Sequence, residues 1–234
     1  MTVNHQYKFI FIHVTKTGGA TIKKYLRSNI GDERTPNNKN FVALPYVQDK
    51  FFNGKEKKEI NGFFYSLGHM PIIFIKENFP EEYKNYYKFG FIRNPYERFL
   101  SSFFFLGRNN LEGLNKEQIL DRFNNFFIPK ISEKFHVNPN RWVIPQYKFL
   151  CDTDDNIIVD FLGRTENLVK DFKNIANTLN LPNFTEEKVV TINVSPNKEK
   201  VEKSLFLTEE NKEKIYNLYK KDFEIFNYPK NYPV

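Results

Sequence analysis

With 234 residues, 40% hydrophobic and 27% charged content, the chain has the size and balance of one globular domain, so residues 1–234 are expected to form a single domain. The net charge of +7 favours anionic partners, but the basic residues are spread without a block of five like charges. No nucleic-acid-binding signature is present, so a nucleic-acid partner is not expected. Cys151 is the lone cysteine, which excludes an intrachain disulfide and fits a reducing compartment. The apolar run from Phe9 to Val14 is too short for a signal-peptide core or a bilayer span. Together these features predict a cytoplasmic protein without a transmembrane segment. With 26 Phe and 13 Tyr, its core is expected to be Phe-rich.

Lys8–Val14 (KFIFIHV) is a near-continuous apolar run, the pattern of a buried parallel strand. A Gly-containing turn at Thr15–Gly19 follows, then a helix over Ala20–Ser28. No element is assigned to the Lys-rich stretch Asn29–Glu59. Phe63–Leu67 reads as a short strand ending at Gly68-His69. Tyr87–Ile92 reads as another strand, Arg93-Asn94 as a turn, and Tyr96–Leu106 as a helix with Pro95 at its first position. Lys116–Phe127 predicts a helix, Ile157–Phe161 a strand, Glu166–Leu179 an amphipathic helix and Val189–Val194 a last extended segment. Thr208 is placed to cap a final helix running to about Phe226, with Glu209, Glu210 and Glu213 near its positive end. Two strand–turn–helix units define an α/β fold: a mostly parallel sheet flanked by helices, P-loop-like in its first unit.

The first turn, His13-Val14-Thr15-Lys16-Thr17-Gly18-Gly19-Ala20-Thr21, reads as a phosphate cradle. A helix N-terminus offers unpaired N–H groups and partial positive charge. Gly18 and Gly19 let the backbone approach an anion, Lys16 adds a full charge, and Thr17 and Thr21 add hydroxyls. The order of a Walker A loop is absent, because Lys precedes the glycines. The plain alternative is a strand–helix turn with an exposed Lys. In the second turn, Arg93 at a strand's carboxyl end and Ser101 two turns into the helix suit a grip on one phosphate. The alternative there is that Arg93 pairs with Glu97 and Ser101 only packs.

The stretch FIFIHVTKTGGATI resembles the 5′-phosphosulfate loop of carbohydrate sulfotransferases that use 3′-phosphoadenosine 5′-phosphosulfate (PAPS), and FGFIRNPYERFLSSF resembles their 3′-phosphate segment. The resemblance continues at Trp142–Gln146, Leu150-Cys151 and Phe161–Leu168. It runs on through Leu207-Thr208 to Tyr228, nearest the heparan sulfate 2-O-sulfotransferase-like and chondroitin-type branch. It implies that Lys16, Thr17, Gly18, Gly19, Ala20 and Thr21 hold the phosphosulfate, and that Arg93 and Ser101 hold the 3′-phosphate. It also implies that His69, after Gly68, is the base. Thr15, Ala20 and Leu67 depart from the family pattern, which has Pro, Thr or Ser, and a second His there. Membrane anchor and disulfides are missing as well.

On this reading His69 and Lys16 are catalytic, PAPS is the donor, PAP the product, and no metal is required. The acceptor is a glycan or another hydroxyl-bearing molecule. Gly68 is expected to turn the backbone sharply and aim His69 into the cleft. The Gly68-His69 strand end and the phosphosulfate loop are expected at the carboxyl edge of one sheet. His13 is read as orienting the loop, and His136 is a second candidate base. Arg164 and Glu166 open a helix, Lys198 and Lys200 form a charged loop cluster, Arg98 is read as salt-bridging, and Phe103, Phe104 and Phe105 as core. A kinase-like phosphotransferase and a non-catalytic nucleotide- or glycan-binding module are the alternative functions.

Overall fold

Thr2–Asn4 (β1) pairs antiparallel with Phe9–Ile12 (β2), and β2 is buried at every position, as its unbroken apolar run demands. The computed structural model describes residues 1–31, 39–41, 50–52, 57–61, 63–107, 109–135, 142–186, 189 and 202–232. The hairpin strands Lys57–Ile60 (β3) and Phe63–Ser66 (β4) pair only with each other, turning at Asn61, whose φ of 49° suits a tight hairpin. Tyr87–Ile92 (β5) and Phe161–Arg164 (β6) complete the main sheet in the order β1-β2-β5-β6. The β2–β5 and β5–β6 pairs are parallel, giving the expected mostly parallel sheet with helices packed on it.

In chain order the helices are α1 (Gly19–Ile30), α2 (Ile72–Asn78), α3 (Pro80–Asn85), α4 (Pro95–Gly107), α5 (Lys116–Asp121), α6 (Ile128–Lys134), α7 (Tyr147–Leu150), α8 (Leu168–Thr178), α9 (Lys203–Phe206) and α10 (Glu209–Ile225). The chain divides into two compact units, one of Met1–Ile92 with Gln146–Ile192 and one of Arg93–Pro145 with Asn193–Val234. The first is built on the sheet. Its core joins Phe9, Phe11, Phe89 and Phe91 to Ile22, Tyr25 and Leu26 of α1 and to Phe172, Ile175 and Ala176 of α8. The second is helical, and its core joins Tyr96, Phe99, Leu100, Phe103 and Phe104 of α4 to Phe123, Ile215, Tyr219 and Phe223. Phe103 and Phe104 are therefore core, while Phe105 sits half-buried against Trp142, with ring centroids 4.6 Å apart.

Several sequence expectations are corrected. The strand expected over Ile157–Phe161 begins only at Phe161. Asp160 fixes that entry, its carboxylate accepting from Lys88 N at 2.7 Å, while Ile157 makes only an isolated bridge to Cys151. The helix over Lys116–Phe127 is α5 followed by a π-helical turn, Arg122–Phe127, that continues into α6. The polar opening residues conceal β1, because a three-residue edge strand leaves too short a pattern to read. Thr208 caps α10 as expected, accepting from Asn211 N at 3.3 Å. Of the segment Val189–Val194 only Val189 is described, and His136, Lys198 and Lys200 lie outside the described residues.

Candidate functional site

In the sheet unit, the chain leaves β2 at Ile12 and enters α1 through the His13–Gly18 turn. Gly18 is the N-cap of α1 at φ 80°, in the left-handed region that glycine adopts without strain, and no side chain caps it. Its position is tight as well as left-handed, since a Cβ there would lie 3.2 Å from Leu168 Cδ2. Lys16 takes φ 64°, an uncommon conformation for a side chain of its size and one that marks functional loops. Thr17 is buried and its hydroxyl donates to the Val14 carbonyl at 3.0 Å, which closes the turn. Thr21 is buried, whereas Lys16 and Ala20 are partly exposed. The loop thus offers the open end of a 12-residue helix, a cation and small residues, which is what an anion cradle needs.

Gly19 meets a second requirement besides the one expected. The ring of His13 fills the space beside its Cα, so that a Cβ at residue 19 would fall on His13 Cδ2 and Nε2. A side chain of its own unit thus lies against Gly19.

His69 closes onto the same place. It ends a single 3-10 turn, Leu67–His69, and its Nδ1 lies 2.9 Å from the carbonyl oxygen of His13. The two imidazole rings have centroids 4.2 Å apart and are tilted by 44°. Two residues 56 positions apart in sequence are thereby brought together at the start of the loop. The expected route to this meeting is corrected. β4, which leads to His69, belongs to the separate β3–β4 hairpin and not to the main sheet. Gly68 does not create the turn either: its φ is not positive and a Cβ there would meet open space. The backbone is held instead by the Met1 amino group, which donates to the Gly68 carbonyl.

His13 has a strongly shifted imidazole. Burial holds its pKa well below the usual imidazole value, and His69, Lys23, the Met1 amino group and Arg27 push it the same way. His13 is therefore neutral near pH 7. Thr165 packs within reach of Gly18 and donates to the Ile92 carbonyl at 2.9 Å. Arg164 ends β6, and its backbone N–H is taken by Asp171 at 2.7 Å.

In the helical unit, Arg93 directly follows β5 and its Nη2 meets Glu97 Oε2 at 2.9 Å. The other oxygen of Glu97 meets Lys203 Nζ at 2.5 Å, so one carboxylate sits against two cations. Ser101 is partly exposed on α4, two turns beyond Arg93, as the spacing predicts. Asn94 caps α4: its Oδ1 accepts from Tyr96 N at 2.9 Å and from Glu97 N at 3.4 Å. Arg98 lies in the interior of the helical unit, with the buried carboxylate of Asp222 among its charged neighbours. It is wholly buried, donates to the Ile144 carbonyl at 2.7 Å and lies over the Tyr219 ring. Burial lowers its pKa, and the neighbouring Tyr219 and Asp222 oppose that shift. Lys203 is the residue that sequence reasoning missed. The only hint was a lysine at the opening of a helix late in the chain.

Among the described residues there is no cluster of three or more His, Cys, Asp or Glu suited to a metal ion, and no helix is long and apolar enough to cross a membrane. A mostly parallel sheet with helices packed on it, and a glycine-turned loop between β2 and α1, define an α/β protein. The model of the family described as "Sulfotransferase family" matches residues 1–229, and the chain belongs to that family. No curated protein and no solved structure matches it.

Proposed function

We propose that the protein moves a sulfuryl group from PAPS to a hydroxyl of a carbohydrate acceptor, in the manner of the heparan sulfate 2-O and chondroitin-type sulfotransferases, with His69 as general base. Family membership supports sulfuryl transfer as the reaction class. The observation that carries the finer reading is the His69 Nδ1 to His13 carbonyl hydrogen bond, which sets a histidine beside the Lys16–Thr21 loop. A carbonyl oxygen only accepts, so Nδ1 carries the proton. Nε2 of the neutral ring then carries the lone pair, the atom a base needs.

The residues present suit the donor. Its phosphosulfate matches an uncapped helix N-terminus entered through a left-handed glycine, with Lys16 beside it. Arg93 and Ser101 are assigned to the 3′-phosphate, for which Arg supplies a planar fork and Ser a neutral donor. The family match runs through both units, which supports reading residues 1–234 as one sulfotransferase domain. In the reaction an acceptor oxygen forms a bond to sulfur while the bond from sulfur to the 5′-phosphate oxygen breaks. The hydroxyl proton passes to His69 Nε2, and PAP leaves. Charge grows on the departing phosphate oxygen, where Lys16 and the loop amides stabilise it. No step calls for a metal ion.

The test is transfer from labelled PAPS to a panel of glycans, phenols and lipids, with His69→Ala beside the native protein. A glycan product is expected. His69→Ala should lower turnover by roughly 10²–10⁴-fold, the usual worth of a general base, with PAP affinity unchanged. Binding of ATP with Mg²⁺ in preference to PAP would point to a kinase instead. PAP binding without transfer to any acceptor would point to a binding module.

A further inference from the structure

We infer that His13 is a positioning residue: its ring, seated on Gly19, is a wedge that holds the His69 imidazole with Nδ1 on the His13 carbonyl and Nε2 directed away from it. The inference rests on the assignment of His69 as the base. It goes beyond that assignment in naming how the base is held, and it gives Gly19 a role other than approach to the anion.

Three contacts carry it. The His13 carbonyl oxygen lies 2.9 Å from His69 Nδ1 and, being an acceptor only, fixes the tautomer. The protonated-Nδ1 form is the less populated one for histidine in water, so a structure that imposes it does so by contact. The second contact bears on the ring itself, because the His13 ring sits against the His69 ring with centroids 4.2 Å apart. The third sets the position of His13 itself. Its ring lies where a Cβ of residue 19 would be, and Phe11 stacks on it with centroids 5.8 Å apart and planes 18° from parallel. Gly19 is the first residue of α1, so the wedge ties the ring of His69 to the first turn of the helix that forms the phosphosulfate loop.

The electrostatics fit a spacer rather than a second base. His69, Lys23, the Met1 amino group and Arg27 all face His13 and disfavour its cation, on top of its burial. A neutral His13 lets His69 accept a proton without a second positive charge 4.2 Å from it.

The test couples kinetics to spectroscopy on His13→Ala, His13→Phe, Gly19→Ala and the His13→Ala/Gly19→Ala double variant. With ¹⁵N-labelled histidine, the native protein should show His69 protonated at Nδ1. His13→Ala keeps the residue 13 carbonyl and so the tautomer, but should shift the His69 ring resonances and drop kcat by about tenfold or more, in keeping with the cost of misplacing a reacting group. Its affinity for PAP should stay within about twofold. His13→Phe keeps a ring on Gly19 and should recover most of the rate. Gly19→Ala displaces the same ring, so the double variant should be no worse than Gly19→Ala alone, the non-additivity expected of contacting residues. Native kcat in His13→Ala, additive losses, or a loss that falls on PAP affinity instead of kcat would each overturn the inference. Should Gly19→Ala fail to fold, the two His13 variants decide it. A fully active His69→Ala overturns the assignment of the base and not the packing, because the His69 ring resonances of the native protein and of His13→Ala still report whether the His13 ring packs on it.

Discussion

The chain builds the same local shape twice, strand then turn then helix, and ends the two helices in opposite ways. At the start of α1, Gly18 supplies no side chain, and the helix N-terminus has no side-chain cap. At the start of α4, Asn94 turns its amide oxygen onto the N–H groups of Tyr96 and Glu97. An anion can therefore be held at the first turn by backbone N–H groups, with Lys16 adding charge. At the second turn the cap already occupies two of those donors. Any anion there must be held by side chains, and the side chains at hand are Arg93, Ser101 and Lys203. Backbone cradles suit a group that changes during reaction, because their geometry is rigid and their charge is spread. Side-chain forks suit a group that is recognised but does not react.

The comparison is broken most severely by removing charge from the first turn. Lys16→Ala should cut turnover by about two decades or more if it stabilises the departing phosphate oxygen. Single-turnover kinetics with PAPS would check it, and a near-native rate would show that the loop holds something other than the reacting group. The next largest effect falls on the second turn. Arg93→Ala should weaken binding of 3′,5′-bisphosphate nucleotide by about 10–100-fold, as loss of one charged hydrogen bond implies, and should leave 5′-AMP binding nearly unchanged. Calorimetry with both nucleotides separates these outcomes. Equal losses for the two would remove Arg93 from the 3′-phosphate. Glu97 lies 2.9 Å from Arg93 and 2.5 Å from Lys203, so Glu97→Gln should release both cations. It should strengthen bisphosphate binding at low salt, and that gain should shrink as salt rises.

What the sequence made legible was local. The β2–loop–α1 and β5–turn–α4 segments carry their own signals: an unbroken apolar run, a glycine or Pro-terminated turn, then helical spacing. Cysteine and charge counts bounded the class. What stayed hidden depended on contacts far apart in the chain. Nothing in Phe63–His69 says that its strand pairs in a hairpin outside the main sheet, because a four-residue strand reads alike in either sheet. The Gly19 pattern matched a phosphate loop, but a second requirement on it, the His13 ring, appears only when six residues of turn are folded back. Lys203 was invisible for the same reason: its partner Glu97 lies 106 positions away, from 203 minus 97. The burial of Arg98 stayed hidden too, because nothing local in the sequence says that Ile144 and Tyr219 close over it.

The smallest expected effect tests the capping difference itself. Asn94→Ala removes the side-chain acceptor from two N–H groups at a buried helix start, since Asn94 is almost fully buried. Loss of an Asn cap to Ala costs about 0.5–2 kcal/mol, which a denaturant titration resolves as a lower midpoint at unchanged slope. Asn94→Asp keeps the acceptor and places a negative charge at the positive end of α4, so it should hold stability close to native. That charge also stands next to Arg93 in sequence and competes with an incoming phosphate for it. Asn94→Asp should then weaken bisphosphate nucleotide binding while stability is retained, and Asn94→Ala should do the reverse. If both variants lose stability alike and bind nucleotide alike, the cap is not what separates the second turn from the first, and the division into a backbone cradle and a side-chain fork does not hold.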